Sequence, residues 1–172
     1  MACDLSAGRL VPCKDSVGGI KNVYFVDYGD IETYTLTADE ITAMTGTFSA
    51  YKYELTGANS LETSITSSPE NGTTFFESTL TLNLQKLSKE DNVQVKLLAY
   101  GRPVIVVQTN NNDFVLIGKE NGCSVSGGSL VTGAAFADMA GYSLTFASSC
   151  LLYTSDAADD LLCVDLGGRR II

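Results

Sequence analysis

Short runs of alternating apolar and polar residues dominate this chain, and they restrict its fold more than any other feature. The clearest run lies between residues 48 and 55, where one face carries Tyr51, Tyr53 and Leu55 and the other carries Lys52 and Glu54. A period of two places successive side chains on opposite faces of a β-strand. Glycine and asparagine separate the runs, as expected of turns. The pattern therefore predicts a mainly β protein.

Eight segments of the chain are predicted as strands on these grounds. They are Ile20 to Tyr28, Ile31 to Leu36, Phe48 to Leu55, Leu61 to Ser67, Thr73 to Leu84, Val104 to Thr109, Phe114 to Lys119 and Tyr142 to Phe146. Two stretches between these segments are not predicted as strands. Thr37-Ala-Asp-Glu40 predicts a capped helical turn that continues to about Met44. Gly127, Gly128 and Gly133 are expected to break the chain into short pieces.

One segment carries the signals of a helix. Ser88 is a natural N-cap with Asp91 three residues on, and Gly101 and Pro103 stop the helix at its other end. The predicted helix is about Lys89–Tyr100, and its apolar residues at helical spacing are Val93, Leu97 and Tyr100. The expected fold is a single β-rich domain over residues 1–149, a β-sandwich or open barrel with one packed α-helix.

Composition excludes several classes of function. The chain carries 20 Asp and Glu against 11 Lys and Arg, a net charge of −9, and it has neither His nor Trp. Without His, no Ser–His or Cys–His nucleophile is possible, so we expect no enzyme, no catalytic residues and no cofactor. The acidic balance disfavours binding to nucleic acid. No apolar run reaches the roughly 20 residues of a membrane helix, so no membrane partner is expected.

Three groups of residues are weighed as candidate sites, and a structural role is favoured for each. Asp27, Asp30 and Glu32 have oxygen ligands for Ca²⁺, but acidic turns usually stay solvated. The glycines at 127, 128 and 133 do not match a phosphate-binding loop, so backbone turns are favoured. An aromatic ligand-stacking surface competes with ordinary packing for the set Tyr51, Tyr53, Phe75 and Phe76. We therefore predict no metal site and no ligand site.

The cysteines suggest a reducing compartment. Of the five cysteines, Cys150 and Cys163 belong to the C-terminal segment described below. The remaining Cys3, Cys13 and Cys123 lack CxxC spacing, and an odd number favours free thiols over a disulfide framework. A Cys3–Cys13 bridge stays open as an alternative. Residues 1–16 lack the basic start and apolar run of a secretory signal, and we expect an extended arm there.

The last 23 residues read CLLYTSDAADDLLCVDLGGRRII. Residues 150–159 and 164–172 resemble the translation of the two constant parts of a sequencing adapter, with the length of a barcode between them. This resemblance implies a non-native tail from Cys150 onward that lacks integrated packing, as in a translation of environmental reads. Without its two Arg and four Asp, nine basic and sixteen acidic residues remain, a net charge of −7. A genuine acidic extension is the alternative.

The body resembles bacteriophage virion structural proteins. The pieces that carry the resemblance are the opening MACDLSAGRLVPCKDSVGGIK, residues 47–55, 70–77, 98–103 and 133–146. The order of strands, helix, hairpin and final strand is also similar to tail-tube proteins. The resemblance implies a tail-tube protein or a related connector or head component. Such a protein forms homo-oligomeric rings or tubes with other virion proteins, is assembled in the host cytoplasm and resides in the virion. A carbohydrate-binding β-sandwich module is the alternative.

Overall fold

The computed structural model describes residues 16–37 and 40–151. Strands occupy more of this part of the chain than any other element, and one helix interrupts them. The elements are β1 Ile20–Val26, β2 Ile31–Thr37, β3 Glu40–Gly46, β4 Tyr51–Glu54, β5 Ser60–Ser68, β6 Thr73–Gln85, α1 Lys89–Tyr100, β7 Val104–Thr109, β8 Phe114–Ile117, β9 Ser124–Val131 and β10 Gly141–Leu151. The predicted bounds of α1 and β7 are confirmed to the residue.

The strands form two larger sheets and one hairpin. Sheet 1 has the order β4-β1-β7-β8, sheet 2 has the order β5-β6-β10-β9, and β2 pairs with β3 alone. Every pairing is antiparallel. The fold is therefore mainly β and sandwich-like with one helix, as predicted.

The main hydrophobic core lies between the two larger sheets. Alternate residues of both sheets are buried there, including Val23, Phe25, Ile105 and Val107 from sheet 1 and Leu80, Leu82, Leu144 and Phe146 from sheet 2. The rings of Phe25 and Phe146 meet across the interface with 5.4 Å between their centroids. Burial of one such side chain contributes roughly 1.5–3 kcal/mol, so these inward positions dominate the stability of the fold.

A second apolar layer covers the outer face of sheet 1. Val26, Val104, Val106 and Leu116 are buried there together with Ile41 of the β2–β3 hairpin. Sheet 1 is thus covered on both faces. This explains why four successive residues of β7, from Val104 to Val107, are all apolar and all buried, because a strand covered on both sides has no solvent-facing position.

The segment predicted as a helical turn is strand in its described part: Thr37 ends β2 and the residues from Glu40 onward form β3. Ala38 and Asp39 lie outside the described residues. β3 pairs with β2 in a register that sets Tyr34 opposite Met44 and Thr35 opposite Ala43. Ile41 is buried against sheet 1, with Met44 half-buried beside it. The capping signal was overridden because a paired strand brings this apolar face onto sheet 1, which one short helical turn would not do.

Gly127 and Gly128 lie inside a continuous strand, so the prediction of short broken pieces was wrong. They face Thr145 and Leu144 of β10, next to an irregularity in the register at Thr145 and Phe146. A Cβ on Gly128 would stand 3.0 Å from the Leu144 Cδ2 atom and 3.2 Å from the Ser143 carbonyl oxygen. Glycine permits this close approach of β9 to β10.

The helix has the predicted caps, but a different face of it packs against the core. The Ser88 hydroxyl accepts a hydrogen bond from the Asp91 N–H at 3.0 Å, and the Gly101 N–H donates to the Leu97 carbonyl at 2.8 Å. Val95 and Leu98 are the helix residues that pack against the core. The predicted apolar set faces outward: Val93 is 54%, Leu97 61% and Tyr100 90% exposed.

The final strand is longer than predicted and crosses the expected boundary of the tail. β10 continues through Ser149, and its last two residues, Cys150 and Leu151, pair with Phe76 and Phe75. Residues 152–172, which hold most of the adapter-like segment, lie outside the described residues. So do residues 1–15 of the expected N-terminal arm, with Cys3 and Cys13.

Candidate functional surfaces

The three acidic residues weighed as a calcium site lie at the exposed β1–β2 turn. The Asp30 N–H donates to the Asp27 carbonyl oxygen at 3.3 Å, which closes the turn, and all three side chains are exposed. Over residues 16–37 and 40–151, no group of three or more metal-ligating side chains comes together. The carboxylates therefore act as solvated charges on a turn.

The four aromatic residues weighed as a stacking surface are divided between the two sheets. Tyr53 packs edge-on against Phe25, with 5.0 Å between the ring centroids and 82° between the planes, and burial raises its pKa. Tyr51 is exposed on the same edge strand. Phe75 and Phe76 are adjacent in β6 and so point to opposite faces of sheet 2. These side chains do not form one platform.

The clearest apolar pocket lies between the β2–β3 hairpin and the outer face of sheet 1. It has a volume of about 230 Å³ and is lined by Tyr24, Val26, Met44, Phe48, Ala50, Val106 and Phe114. Its lining offers one hydroxyl as its polar side-chain group. Ligand pockets commonly measure ~300–1,000 Å³ and hold several convergent polar groups. This pocket is better described as a loosely filled seam between two layers.

A second, smaller groove separates α1 from strand β4. Its volume is about 130 Å³, and its walls include Tyr51, Tyr53, Leu97 and Leu98. A more polar depression of about 400 Å³ lies by the start of the helix, near Glu54, Lys86 and Asp91. The polar depression also includes Thr56 and Asn83, and its charged side chains stand open to solvent.

Cys123 is a buried thiol with no catalytic surroundings. It has no exposed surface, and burial raises its pKa to about 12, although hydrogen bonds with Ser148 and the Ile105 backbone act in the opposite direction. A thiol must ionise to act as a nucleophile or metal ligand. Cys123 is therefore an inert core residue at neutral pH.

The outward face of α1 is the most unusual exposed surface. It combines the apolar side chains of Val93, Leu97 and Tyr100 with the exposed lysines Lys89 and Lys96. We call these five residues the outer helix face. A helix with apolar residues on both sides has two possible inward faces, so its sequence pattern gave no clear signal that this face would be exposed.

The β5–β6 hairpin forms a second distinctive surface. Between Lys52 and Lys86 the chain contains no basic residue, whereas Glu62, Glu70 and Glu77 all lie on or near this hairpin. Ile65 is 66% exposed. Strand β9 begins opposite Ala147, so the part of the hairpin beyond this point belongs to a three-stranded extension of sheet 2.

By its fold and its surfaces, the protein is an antiparallel β-sandwich with exposed apolar and charged surfaces. Comparisons of the chain with family models, curated proteins and solved structures find no match. Within the described ranges, no helix has both the length and the apolar character needed to cross a membrane.

Proposed function

We propose that this chain is a bacteriophage virion structural subunit, most specifically a tail-tube protein or a related connector or head component that self-assembles. The observation that carries the proposal is the outer helix face, which exposes three large apolar side chains on a well-capped helix. Exposed apolar surface of this kind commonly marks a protein–protein interface. The sequence resemblance to virion proteins supplies the class of assembly.

The edges of the two sheets support the same proposal. Within the described ranges, β4, β8, β5 and β9 each pair on one side only. Such edges offer unpaired N–H and C=O groups to another chain. A subunit that contacts identical neighbours through two different surfaces forms a closed ring or an open filament. A tube requires this kind of heterologous contact.

The acidic composition suits a protein that surrounds DNA without binding to it. Residues 1–149 carry a net charge of −7. In the described ranges, the acidic residues are distributed over several strands and turns. Negative charge repels the phosphate backbone. A channel built from such subunits would let DNA pass without holding it, in a virion assembled in the host cytoplasm.

Sedimentation velocity and negative-stain electron microscopy of the purified chain test the proposal. We expect rings, stacked rings or tubes, with a population that grows with protein concentration. A strictly monomeric species at high concentration, with no rings or tubes on the grid, would contradict it. Genes for terminase, portal or tape-measure proteins beside this gene would provide independent support.

A carbohydrate-binding module is the second candidate, and one observation favours it. Tyr51 is exposed beside the groove between α1 and β4, and an exposed ring can stack on a sugar. A glycan array with no hits would dismiss this candidate, whereas a hit that Tyr51→Ala abolishes would support it over the virion proposal.

A further inference from the structure

The tripeptide Glu-Asn-Gly occurs twice in this chain, and the fold places the two occurrences in different surroundings. Residues 70–72 belong to the turn between β5 and β6, and residues 120–122 connect β8 to β9. Asparagine is among the chemically labile residues, and a glycine after it leaves the next backbone nitrogen unobstructed because glycine has no side chain. Since the two tripeptides are identical, a difference in their reactivity has to come from their surroundings.

The first tripeptide lies in an open turn. Ser68 pairs with Thr73 at the end of the hairpin, so residues 69–72 alone connect the two strands. All of these residues are exposed, and a Cβ on Gly72 would meet no atom within 4 Å. Among the described residues, no backbone carbonyl accepts a hydrogen bond from the Gly72 N–H. The backbone of this turn can therefore rotate without displacing a packed group.

The second tripeptide is held at its backbone. The Gly122 N–H donates a hydrogen bond to the Gly118 carbonyl oxygen at 2.9 Å. Gly122 is buried, and a Cβ on it would stand 2.7 Å from the Arg102 carbonyl oxygen. The next residue, Cys123, has no exposed surface. These contacts fix the backbone nitrogen that follows Asn121.

Neither side-chain exposure nor glycine conformation separates the two sites. Asn71 and Asn121 are both exposed, and the glycines after them have similar φ values of 63° and 70°. Attack on the asparagine side chain by the next backbone nitrogen requires rotation of the backbone between them. At Asn121 this rotation would first break the hydrogen bond of Gly122 and move it against its packed neighbours. Such a site reacts only through local opening of the fold.

We propose that Asn71 is a site of spontaneous deamidation and that the fold protects Asn121 from the same reaction. The Gly72 nitrogen attacks the Asn71 Cγ atom and forms a C–N bond with it, while the bond between Cγ and Nδ2 breaks. Nδ2 leaves as ammonia and takes up the proton that the Gly72 nitrogen gives up. Water then opens the cyclic imide. Opening at Cγ gives aspartate, and opening at the backbone carbonyl gives isoaspartate, whose peptide bond runs through the side chain.

The reaction adds negative charge to a part of the chain that is already acidic. No basic residue lies between Lys52 and Lys86, and Glu70 directly precedes the reacting asparagine. Isoaspartate also lengthens the backbone of the turn by a methylene group. Because the turn is exposed, both products leave the core between the sheets in place. The inference concerns this turn alone and does not depend on the proposed function.

Peptide mass spectrometry of the aged protein tests the proposal. The folded full chain is incubated in mildly alkaline buffer and digested at intervals. We expect the mass gain of deamidation to appear at Asn71 at least roughly tenfold faster than at Asn121, because the second site must open before it reacts. In guanidinium chloride, which removes the fold, the two sites should react at similar rates.

Matched substitutions identify the reacting site by its charge. Deamidation replaces a neutral amide with a carboxylate, so a more negative band should accumulate on a native gel as the protein ages. Asn71→Gln should abolish this band, because attack on the longer glutamine side chain has to close a larger ring. Asn121→Gln should leave the band unchanged. Both positions are exposed, so circular dichroism should show the same fold for both variants.

The measured rates decide between the fold and the local sequence. Equal rates at the two sites in the folded chain would overturn the proposal, as would an Asn71 that stays intact there. A difference that persists in guanidinium chloride would assign the effect to the residues after the glycines, Thr73 and Cys123, and would also refute protection by the fold. Faster reaction at Asn71 in the folded chain, with similar rates after unfolding, establishes the site.

Discussion

The orientation of α1 leads to a sharp prediction, because two adjacent leucines of this helix have opposite surroundings. Leu98 packs against the core between the sheets, whereas Leu97 is 61% exposed. The same substitution to alanine at each position changes helix propensity equally, since both are interior positions of one helix. The difference between the two variants therefore reports packing alone.

The magnitude follows from the apolar atoms that are removed. Leucine to alanine deletes the equivalent of three methylene groups, worth about 0.8 kcal/mol each when fully buried. Leu98 is partly buried, so about 1–2 kcal/mol of its contribution to the free energy of unfolding should be lost. Leu97→Ala should lie within about 0.5 kcal/mol of the wild type, as for other exposed positions.

Urea denaturation followed by circular dichroism measures this difference. We expect the midpoint of Leu98→Ala to fall and that of Leu97→Ala to stay near the wild type, with unchanged m-values. Equal losses would show that the two leucines are similarly buried. A larger loss for Leu97→Ala would refute the orientation, and with it the outer helix face on which the proposed function depends.

Four further outcomes test the core, its buried thiol and the β2–β3 hairpin. Phe146→Ala should cost about 3–5 kcal/mol in a thermal or urea melt, whereas Phe136→Ala, at a fully exposed ring, should cost almost nothing; similar losses would contradict the sandwich core. Cys123 should resist a thiol reagent at pH 8 until the protein unfolds, and rapid labelling of the folded protein would argue against its burial. Because burial raises the thiol pKa from 9.0 to about 12, the stabilising effect of the neutral thiol is complete below pH 9 and is lost as the pH rises towards 12; Cys123→Ala should therefore lose less stability than the wild type over that range. Gly46→Ala should destabilise the β2–β3 hairpin, since its φ is +139° and a Cβ would stand 2.2 Å from the Asp30 carbonyl oxygen; an unchanged melting temperature would count against this backbone geometry at the end of β3.

Local signals predicted several elements well because their physical causes are local. Ser88 and Gly101 supply the caps of α1 from within the helix itself. The long strand β6 alternates leucine with threonine or asparagine, and its leucines face the core. Such a strand has one buried face, so its period is visible in the sequence.

Other elements depended on contacts distant in sequence. The segment from Glu40 to Gly46 has a weak local preference, and its pairing with β2 and its burial on sheet 1 decided that it is a strand. Gly127 and Gly128 resemble turn residues, yet β10 holds them in a ladder. Among the candidate sites, the favoured roles in turns and packing agree with the positions of Asp27 and Tyr53, but the sequence did not predict the exposed helix face.

The sequence by itself determined that this protein is mainly β with one helix, since the period of its apolar residues and the caps of α1 act within short segments. Only the tertiary structure decided which side of that helix is buried. Val93, Leu97 and Tyr100 match the spacing of a core-facing stripe as well as Val95 and Leu98 do. The choice depends on where β6 and β7 attach the helix to the two sheets, because packing against the core selects one apolar face and leaves the other exposed.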